Sequence, residues 1–264
     1  MRIILITGST GFIGSHLADA CLKKKYRVRA LVMRGDPGEV GLKKQRVEIV
    51  YGDLRDGSSL EAACKGVDIV FHCAAVVTDW APRSLFQAVN IDGMEKLCRA
   101  ALNARVQRFV ELSTNDVFGL DESRVITEEA PLKKWGEPYA DTKIAAEEIA
   151  WRYYQAHGLP VTTFQQFCAA IAAALGAKAP RLHLPYFVAY GAALLMEFTW
   201  RILRLRSRPL LTTYTVKNLG SRLRFSIERA ERELGWTPKI SYREGLARTL
   251  EWLKGLDRSN LKQK

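Results

Sequence analysis

Acidic side chains are in short supply in this chain: 28 Asp and Glu stand against 40 Lys and Arg, a formal net charge of +12 over 264 residues. The excess suits an anionic surface or a phosphate-bearing ligand without identifying either. Nucleic acid is not expected as that partner, because no basic motif interleaved with aromatics occurs. Cysteine is sparse too. The five present (Cys21, Cys64, Cys73, Cys98 and Cys168) never fall at C-x-x-C spacing. That argues against a disulfide framework and a thiolate metal centre, so reduced, buried thiols in a cytoplasmic protein with no metal are expected. No basic stretch precedes an apolar run at the N-terminus. MRIILITG passes straight from apolar residues into glycine, and secretion is not expected. Internal repeats and low-complexity linkers are also missing. Hydrophobic residues make up 48% and charged residues 26%, ordinary for a soluble globular protein. The length accommodates one α/β core with a smaller appended lobe.

Strand and helix patterns alternate along the first part of the chain. Residues Met1 to Ile6, Tyr26 to Met33, Val47 to Tyr51, Asp68 to Cys73, Arg108 to Ser113 and Leu159 to Thr163 read as strands. Helical stretches between them run from Phe12 to about Lys24, Ser58 to Cys64, Ser84 to Asn103 and Pro138 to Ala156. In the first of these, Ile13, Leu17, Ala20 and Cys21 share one face. This alternation predicts a doubly wound parallel sheet of the Rossmann type, with its ligand crevice at the carboxyl ends of the strands. It places a dinucleotide-binding domain at residues 1–163 and a shortened, mostly helical substrate lobe at residues 164–264.

Between the first strand and its helix lies Thr7-Gly8-Ser9-Thr10-Gly11-Phe12-Ile13-Gly14. Three glycines at a three-residue period allow positive φ, close approach of backbone to a pyrophosphate, and tight packing of helix on strand. The helix N-terminus adds unpaired N–H groups and a partial positive charge. A dinucleotide site is expected here. At the end of the second strand, where an NAD site usually has an acid for the ribose hydroxyls, the chain reads Leu31-Val32-Met33-Arg34. An arginine there suits a 2′-phosphate, which favours NADP(H) over NAD(H), although Arg34 also reads as a solvated loop charge. Asp53 and Leu54 follow the third strand, where the carboxylate can take the adenine amino group or close an Asx turn. After the fourth strand, His72-Cys73-Ala74-Ala75 provides small residues beside the cofactor. His72 itself reads as a core histidine.

Tyr139 and Lys143 stand four residues apart on one face of a predicted helix. The ammonium favours the phenolate, which makes Tyr139 a candidate proton donor or acceptor; a shift of about 3 units needs roughly 4 kcal/mol. Thr114, at the crevice end of the fifth strand beside Ser113, can bond the same substrate oxygen.

With these residues in place, the chain resembles the extended short-chain dehydrogenase/reductase family. The matching segments are TGSTGFIGSHL (7–17), GDL (52–54), HCAA (72–75), Val89-Asn90 with Gly93, STNDVFG (113–119) and PYADTK (138–143). The resemblance implies that Gly8 to Gly14, Arg34, Asp53, Leu54, Ala74, Ala75 and Ser113 surround the cofactor, with Asn90 supporting the architecture. It implies a catalytic set of Thr114, Tyr139 and Lys143, the lysine also bonding the nicotinamide ribose. Phe225 to Lys254, with a capping box at Ser241 and Glu244, looks like the family's closing segment, and the later motifs look most like the 3β-hydroxysteroid and sterol-carboxylate dehydrogenase branch. One departure stands out. The family carries several dozen residues of substrate domain after the sixth strand, whereas here LPVTT meets FQQFCAAIAAALG directly.

The expected function is therefore oxidoreduction of an alcohol or ketone, sterol- or terpenoid-like, with a nicotinamide cofactor. A nucleotide-sugar epimerase or dehydratase, using the same device with transient oxidation, stays open, as does a dinucleotide-binding protein with little catalysis. Residues 184–208 hold a helix with Tyr186, Tyr190, Glu197, Arg201 and Arg204 in one narrow stripe and large apolar residues around it. Peripheral membrane contact through this helix, packing in the C-terminal lobe and homodimerisation all remain open.

Overall fold

The computed structural model describes residues 2–120, 125–127, 130–163, 186–203, 205, 207–220, 224–226, 228–234 and 240. The expected helix at 164–176, Cys168, Arg204, Arg206 and the capping box at Ser241 lie outside them.

Six parallel strands form one sheet in the order β3-β2-β1-β4-β5-β7. They are β1 (Ile3–Thr7), β2 (Arg27–Val32), β3 (Glu48–Tyr51), β4 (Ile69–His72), β5 (Arg108–Glu111) and β7 (Val161–Thr163). The order reverses at β1, so the chain winds outward first through β2 and β3, then through β4, β5 and β7. That puts the β1 and β4 ends side by side, with Thr7 in register with His72, and opens a crevice between them.

Both sheet faces are buried, which is why β1 reads as a continuous apolar run rather than an alternating one. Ile4 and Ile6 pack with Ala18, Cys21, Val28 and Val32 on one face. Leu5 packs with Leu60, Val70, Leu97 and Phe109 on the other. Helix α1 (Phe12–Lys23) buries Gly14, Ala18 and Cys21, a stripe of small residues that lets it lie close to β1. Ala20, expected on that face, is exposed. Helix α2 (Glu39–Lys44), which has too few apolar positions to register as periodic, covers β2 and β3 through Leu42.

The stretch expected as a single helix from Ser84 to Asn103 is divided into α4 (Arg83–Phe86), a π-helical turn (Gln87–Ile91) and α5 (Asp92–Asn103); α3 (Gly57–Cys64) packs beside α5. The π turn contains Asn90, whose side chain leaves the helix to bond the loop after β4. Helix α6 (Pro138–His157) starts with proline in its first turn and ends on Gly158 in the left-handed conformation, a helix bounded by its own sequence signals.

Beyond the sheet, α7 (Tyr186–Ile202) packs on α8 (Thr213–Gly220), pinned where Thr213 donates from N and Oγ1 to Glu197 Oε1 at 2.6 and 2.9 Å. A short parallel pair joins β6 (Val125–Ile126) to β8 (Arg224–Phe225), followed by α9 (Glu228–Leu234). Two contacts lock α8 to the sheet side: Tyr214 donates to Asp116 Oδ2 at 2.5 Å, and Lys217 pairs with Glu137 at 3.1 Å.

Candidate active site

The glycine turn after β1 is built for glycine alone. Gly8 has φ +70, and a Cβ there would stand 2.8 Å from the Ala74 nitrogen; one on Gly14 would stand 2.2 Å from the Gly8 carbonyl oxygen. Gly11 N–H donates to the Gly8 oxygen at 3.0 Å and closes the turn. No side chain caps α1, and no acid stands in its first turn, so its terminal N–H groups have no side-chain acceptor and suit an anion. Ser9 is buried with a hydroxyl that has no hydrogen-bond partner among the described residues. A cradle that any Cβ would fill, with an orphaned hydroxyl beside it, fits the pyrophosphate of a dinucleotide. Phe12 stands exposed at the rim against His16, and Ile13 is half-buried.

From this cradle a cavity of about 310 Å³ runs over the ends of β2 and β3, lined by Gly8, Thr10, Leu31, Met33, Asp36, Asp53, Leu54, Ala74, Ala75 and Val89, among others. Its size suits an adenosine. Asp53 is held by Arg55, whose guanidinium donates through Nε to Oδ1 and through Nη2 to Oδ2 and keeps its carboxyl below the usual range. Two expectations change here. Arg34 does not line the cavity: it is exposed, with its guanidinium 4.8 Å from the centre of the Tyr51 ring. An acid is present after all, because Asp36 reaches the cavity wall. Its Oδ2 accepts from Thr10 Oγ1 and its Oδ1 from Gly38 N, each at 2.8 Å. The tight Gly35-Asp-Pro turn, with Gly35 at φ +82, carries the acid back to the strand end. That turn was the signal the strand-end reading missed.

Asn90 is buried and acts on protein rather than standing in the cavity. Its Oδ1 accepts from Val76 N at 2.8 Å, and its Nδ2 donates to Val76 O and Thr142 Oγ1. The loop after β4 is thereby tied to α6.

Along α6 the buried stripe includes Ala140, Lys143, Glu147 and Ala150, so two charged residues occupy core positions. Lys143 Nζ donates to Glu111 Oε1 at 2.8 Å, with the lysine side chain 3% and the glutamate side chain 0% exposed. Burial works against the ammonium, but Glu111 first, with Tyr139 and Glu147 adding to it, outweighs burial and raises the lysine's affinity for its proton. Ser113 was expected among the cofactor contacts; its hydroxyl instead donates inward to Glu147. Burial pushes the Glu147 carboxyl up to about 7, with Glu111 adding to the rise. Thr114 caps the short 3-10 turn Asn115–Phe118, its Oγ1 accepting from Asp116 N at 3.3 Å. Tyr139 is half-buried one turn before Lys143. His72 is a core histidine, 2.8 Å from Thr7 Oγ1; burial, then the Lys143 charge, lowers it to about 3.

A second cavity, of about 580 Å³, opens beside Pro138 at the head of α6. Its described lining includes Asp79, Trp80, Arg83, Glu137, Glu197, Arg201 and Tyr214. The Arg201 guanidinium lies 5.6 Å from the Trp80 ring centre. Charged and aromatic side chains stand there beside Ala81, Pro82, Pro138 and Leu205.

A parallel sheet reversing at β1, a glycine cradle at that switch point and an adenosine-sized cavity beside it define an α/β dinucleotide-binding protein. The chain belongs to the NAD dependent epimerase/dehydratase family, whose model matches residues 4–171. It is 31% identical over 179 residues to the uncharacterized UDP-glucose epimerase YtcB of Bacillus subtilis, covering 62% of this chain and 55% of that protein. It is 33% identical over 161 residues to a 3 beta-hydroxysteroid dehydrogenase/Delta 5-->4-isomerase of Mycobacterium tuberculosis, covering 55% of this chain and 41% of that one. The chain thus spans about half the length of these relatives. Alignment with a farnesyl-dihydroquinoline-oxide ketoreductase of Stigmatella aurantiaca, at 23% identity, takes 316 positions to cover 91% of this chain. That is more than the 264 residues present, so that relative has positions with no counterpart here. Among solved structures, a short-chain dehydrogenase/reductase superfamily protein from Agrobacterium tumefaciens with bound NAD matches with a TM-score of 0.54 and 34% identity, over 61% of this chain and 48% of that one. The dTDP-glucose 4,6-dehydratase DesIV of Streptomyces venezuelae, solved with NAD, matches with a TM-score of 0.69 and 25% identity, over 96% and 97% of the two chains.

Proposed function

We propose that this protein is a nicotinamide-dependent oxidoreductase acting on an alcohol or ketone, with its cofactor half in residues 1–163 and its substrate half in 164–264. The observation that carries the reading is the buried Lys143 ammonium one helical turn from Tyr139, interacting with it electrostatically and bonded to Glu111 at the carboxyl end of β5. The dinucleotide, when bound, supplies the hydride acceptor or donor. The protein's own residues do the rest. Gly8 to Gly14 and the α1 N-terminus bind the pyrophosphate, and Asp53 and Leu54 the adenine side. Thr114 has its oxygen lone pair engaged by Asp116 N, which leaves its hydroxyl proton to orient the substrate oxygen. Tyr139 passes a proton to or from that oxygen, and Lys143 lowers the cost of the phenolate.

For the cofactor we favour NADP(H), with Arg34 swinging from Tyr51 onto the 2′-phosphate. Asp36 in the cavity wall supports the alternative, NAD(H), through bonds from the ribose hydroxyls. For the substrate, the hydroxysteroid dehydrogenase and ketoreductase relatives support a sterol- or terpenoid-like ketone. The charged walls of the larger cavity and the net charge of +12 favour the second reading, a nucleotide-sugar epimerase or dehydratase, whose diphosphate Arg83 and Arg201 would meet. A binding protein with little catalysis is the third, supported by the positions a full-length relative has and this chain lacks. Contact with a bilayer surface through residues 184–208 draws support from the exposed Phe187, Leu195, Phe198 and Ile202; no helix among the described residues is long and apolar enough to cross a membrane.

The test is a panel of sterols, simple ketones and nucleotide sugars with both cofactors, followed by absorbance of the reduced nicotinamide and by product analysis. Turnover is expected with the native protein and its loss in Tyr139→Phe, with cofactor affinity nearly unchanged. Activity retained in the phenylalanine variant would refute the assignment.

A further inference from the structure

Behind the proposed proton donor, Lys143 belongs to a buried cluster whose other members, Glu111, Ser113 and Glu147, the chemistry above does not use. Tyr139, Lys143 and Glu147 follow one another at four-residue intervals on α6, while Glu111 and Ser113 stand two apart at the end of β5. Two residues of strand advance about 6.6 Å and four residues of helix about 6 Å, so the pairs can match rung for rung. They do: Lys143 bonds Glu111, and Glu147 accepts from Ser113. Every member but Tyr139 is buried. The ammonium interacts with Glu111 from β5, Tyr139 and Glu147 from α6 and His72 from β4; Ser113, just beyond β5, faces Glu147, and the Cys98 thiol of α5 faces Glu111.

A lysine this deep loses most of its hydration, and an unpaired one would shed its proton. Of its two carboxylate neighbours, Glu147 sits in a setting that favours its neutral form up to about pH 7. Glu111 is the carboxylate in direct contact with the lysine, 2.8 Å from Nζ to Oε1, and its second oxygen, Oε2, has no hydrogen-bond partner among the described residues. The carboxylate is committed to one bond.

We propose that Glu111 is a positioning residue: it holds the Lys143 ammonium charged and fixed beneath Tyr139, so that the tyrosine is activated by a buried ion pair rather than by a solvated lysine. This rests on the reading of Tyr139 as the proton donor, but its first consequence is visible without turnover. Lys143 should depend on Glu111, which bonds it directly, more than on Glu147 for its charge.

The experiment follows the Lys143 side chain by lysine-selective 13C NMR across pH in the intact protein, assigned by its loss in Lys143→Met. Glu111→Gln is expected to move its titration down by about one pH unit or more, and by clearly more than Glu147→Gln does. Should Glu111→Gln fail to fold, Glu111→Asp, which keeps the charge but withdraws it by one methylene, is expected to give a smaller shift in the same direction. Where turnover is measured, Glu111→Gln is expected to lower kcat about tenfold or more at pH 7 with KM for the cofactor nearly unchanged, and Glu111→Asp to regain part of that loss. An unshifted Lys143 in both Glu111 variants would overturn the proposal. A shifted Lys143 in a protein that turns over no substrate would uphold the positioning of the lysine and count against the oxidoreductase reading instead.

Discussion

Lys143 on α6 and Glu111 at the end of β5 form a fully buried ion pair, 2.8 Å from Nζ to Oε1. Pairs of this kind add little net stability, because desolvation offsets the attraction, yet removing one partner strands the other. Lys143→Met is therefore expected to destabilise the fold by about 3–5 kcal/mol. Adding Glu111→Gln to that variant removes the stranded charge and is expected to recover much of the loss, a coupling that urea unfolding of the two single variants and the double variant would reveal. Strict additivity would show that the pair is not compensating charge.

Cofactor choice turns on two residues after β2. If Arg34 takes a 2′-phosphate, the native protein binds NADPH more tightly than NADH, and Arg34→Ala erases most of the difference. If Asp36 takes the ribose hydroxyls, the native preference is for NADH, and Asp36→Asn weakens NADH alone. Equal affinity for both cofactors in the native protein would defeat both readings.

The adenosine side of the site is walled by described residues from four strand ends, while the ketoreductase relative has positions with no counterpart in this chain. Affinity is accordingly expected to come mainly from the adenine half. Provided the NADP(H) reading holds, 2′-phospho-ADP-ribose should bind within about tenfold of NADPH, a difference below roughly 1.4 kcal/mol. An advantage of a hundredfold or more for the intact cofactor would show that other residues build a nicotinamide pocket.

Glu147 sets a pH dependence whose sign follows from burial. Its carboxyl titrates at about 7 in the fold against an ordinary 4.5, so between these values the folded protein binds a proton the unfolded chain has released. Its contribution to stability is complete below about pH 4.5 and is lost as pH rises through 7. Glu147→Gln cannot ionise, so its stability relative to the native protein is expected to rise by about 2–3 kcal/mol between pH 5 and pH 8. Urea midpoints that differ by the same amount at both pH values would contradict this.

Much of this was legible in the chain. The six sheet strands, the glycine turn and the tyrosine–lysine row announce themselves through local periodicity and short spacings, and each follows from contacts close in sequence. What stayed hidden depends on pairing at a distance. Nothing near Glu111 marks it as buried until β5 is laid beside α6, and the acid of Asp36 reaches the cavity only through the turn at Gly35. The π turn at Asn90 escaped because an apolar helical pattern tolerates one extra residue, and the reason for it lies fourteen residues back at Val76. Beside Thr114, Ser113 reads in the sequence as a crevice residue, and only the placement of Glu147 on α6 shows where its hydroxyl is bonded.

The central claim is that the turn from Gly8 to Gly14 and the cavity beside it hold a nicotinamide dinucleotide, and calorimetric titration of the unmodified protein with NADPH and with NADH tests it most directly. Saturable one-to-one binding of at least one of them is expected, with a Kd of about 10 μM or tighter, roughly −7 kcal/mol. No binding of either at millimolar concentration would contradict the account.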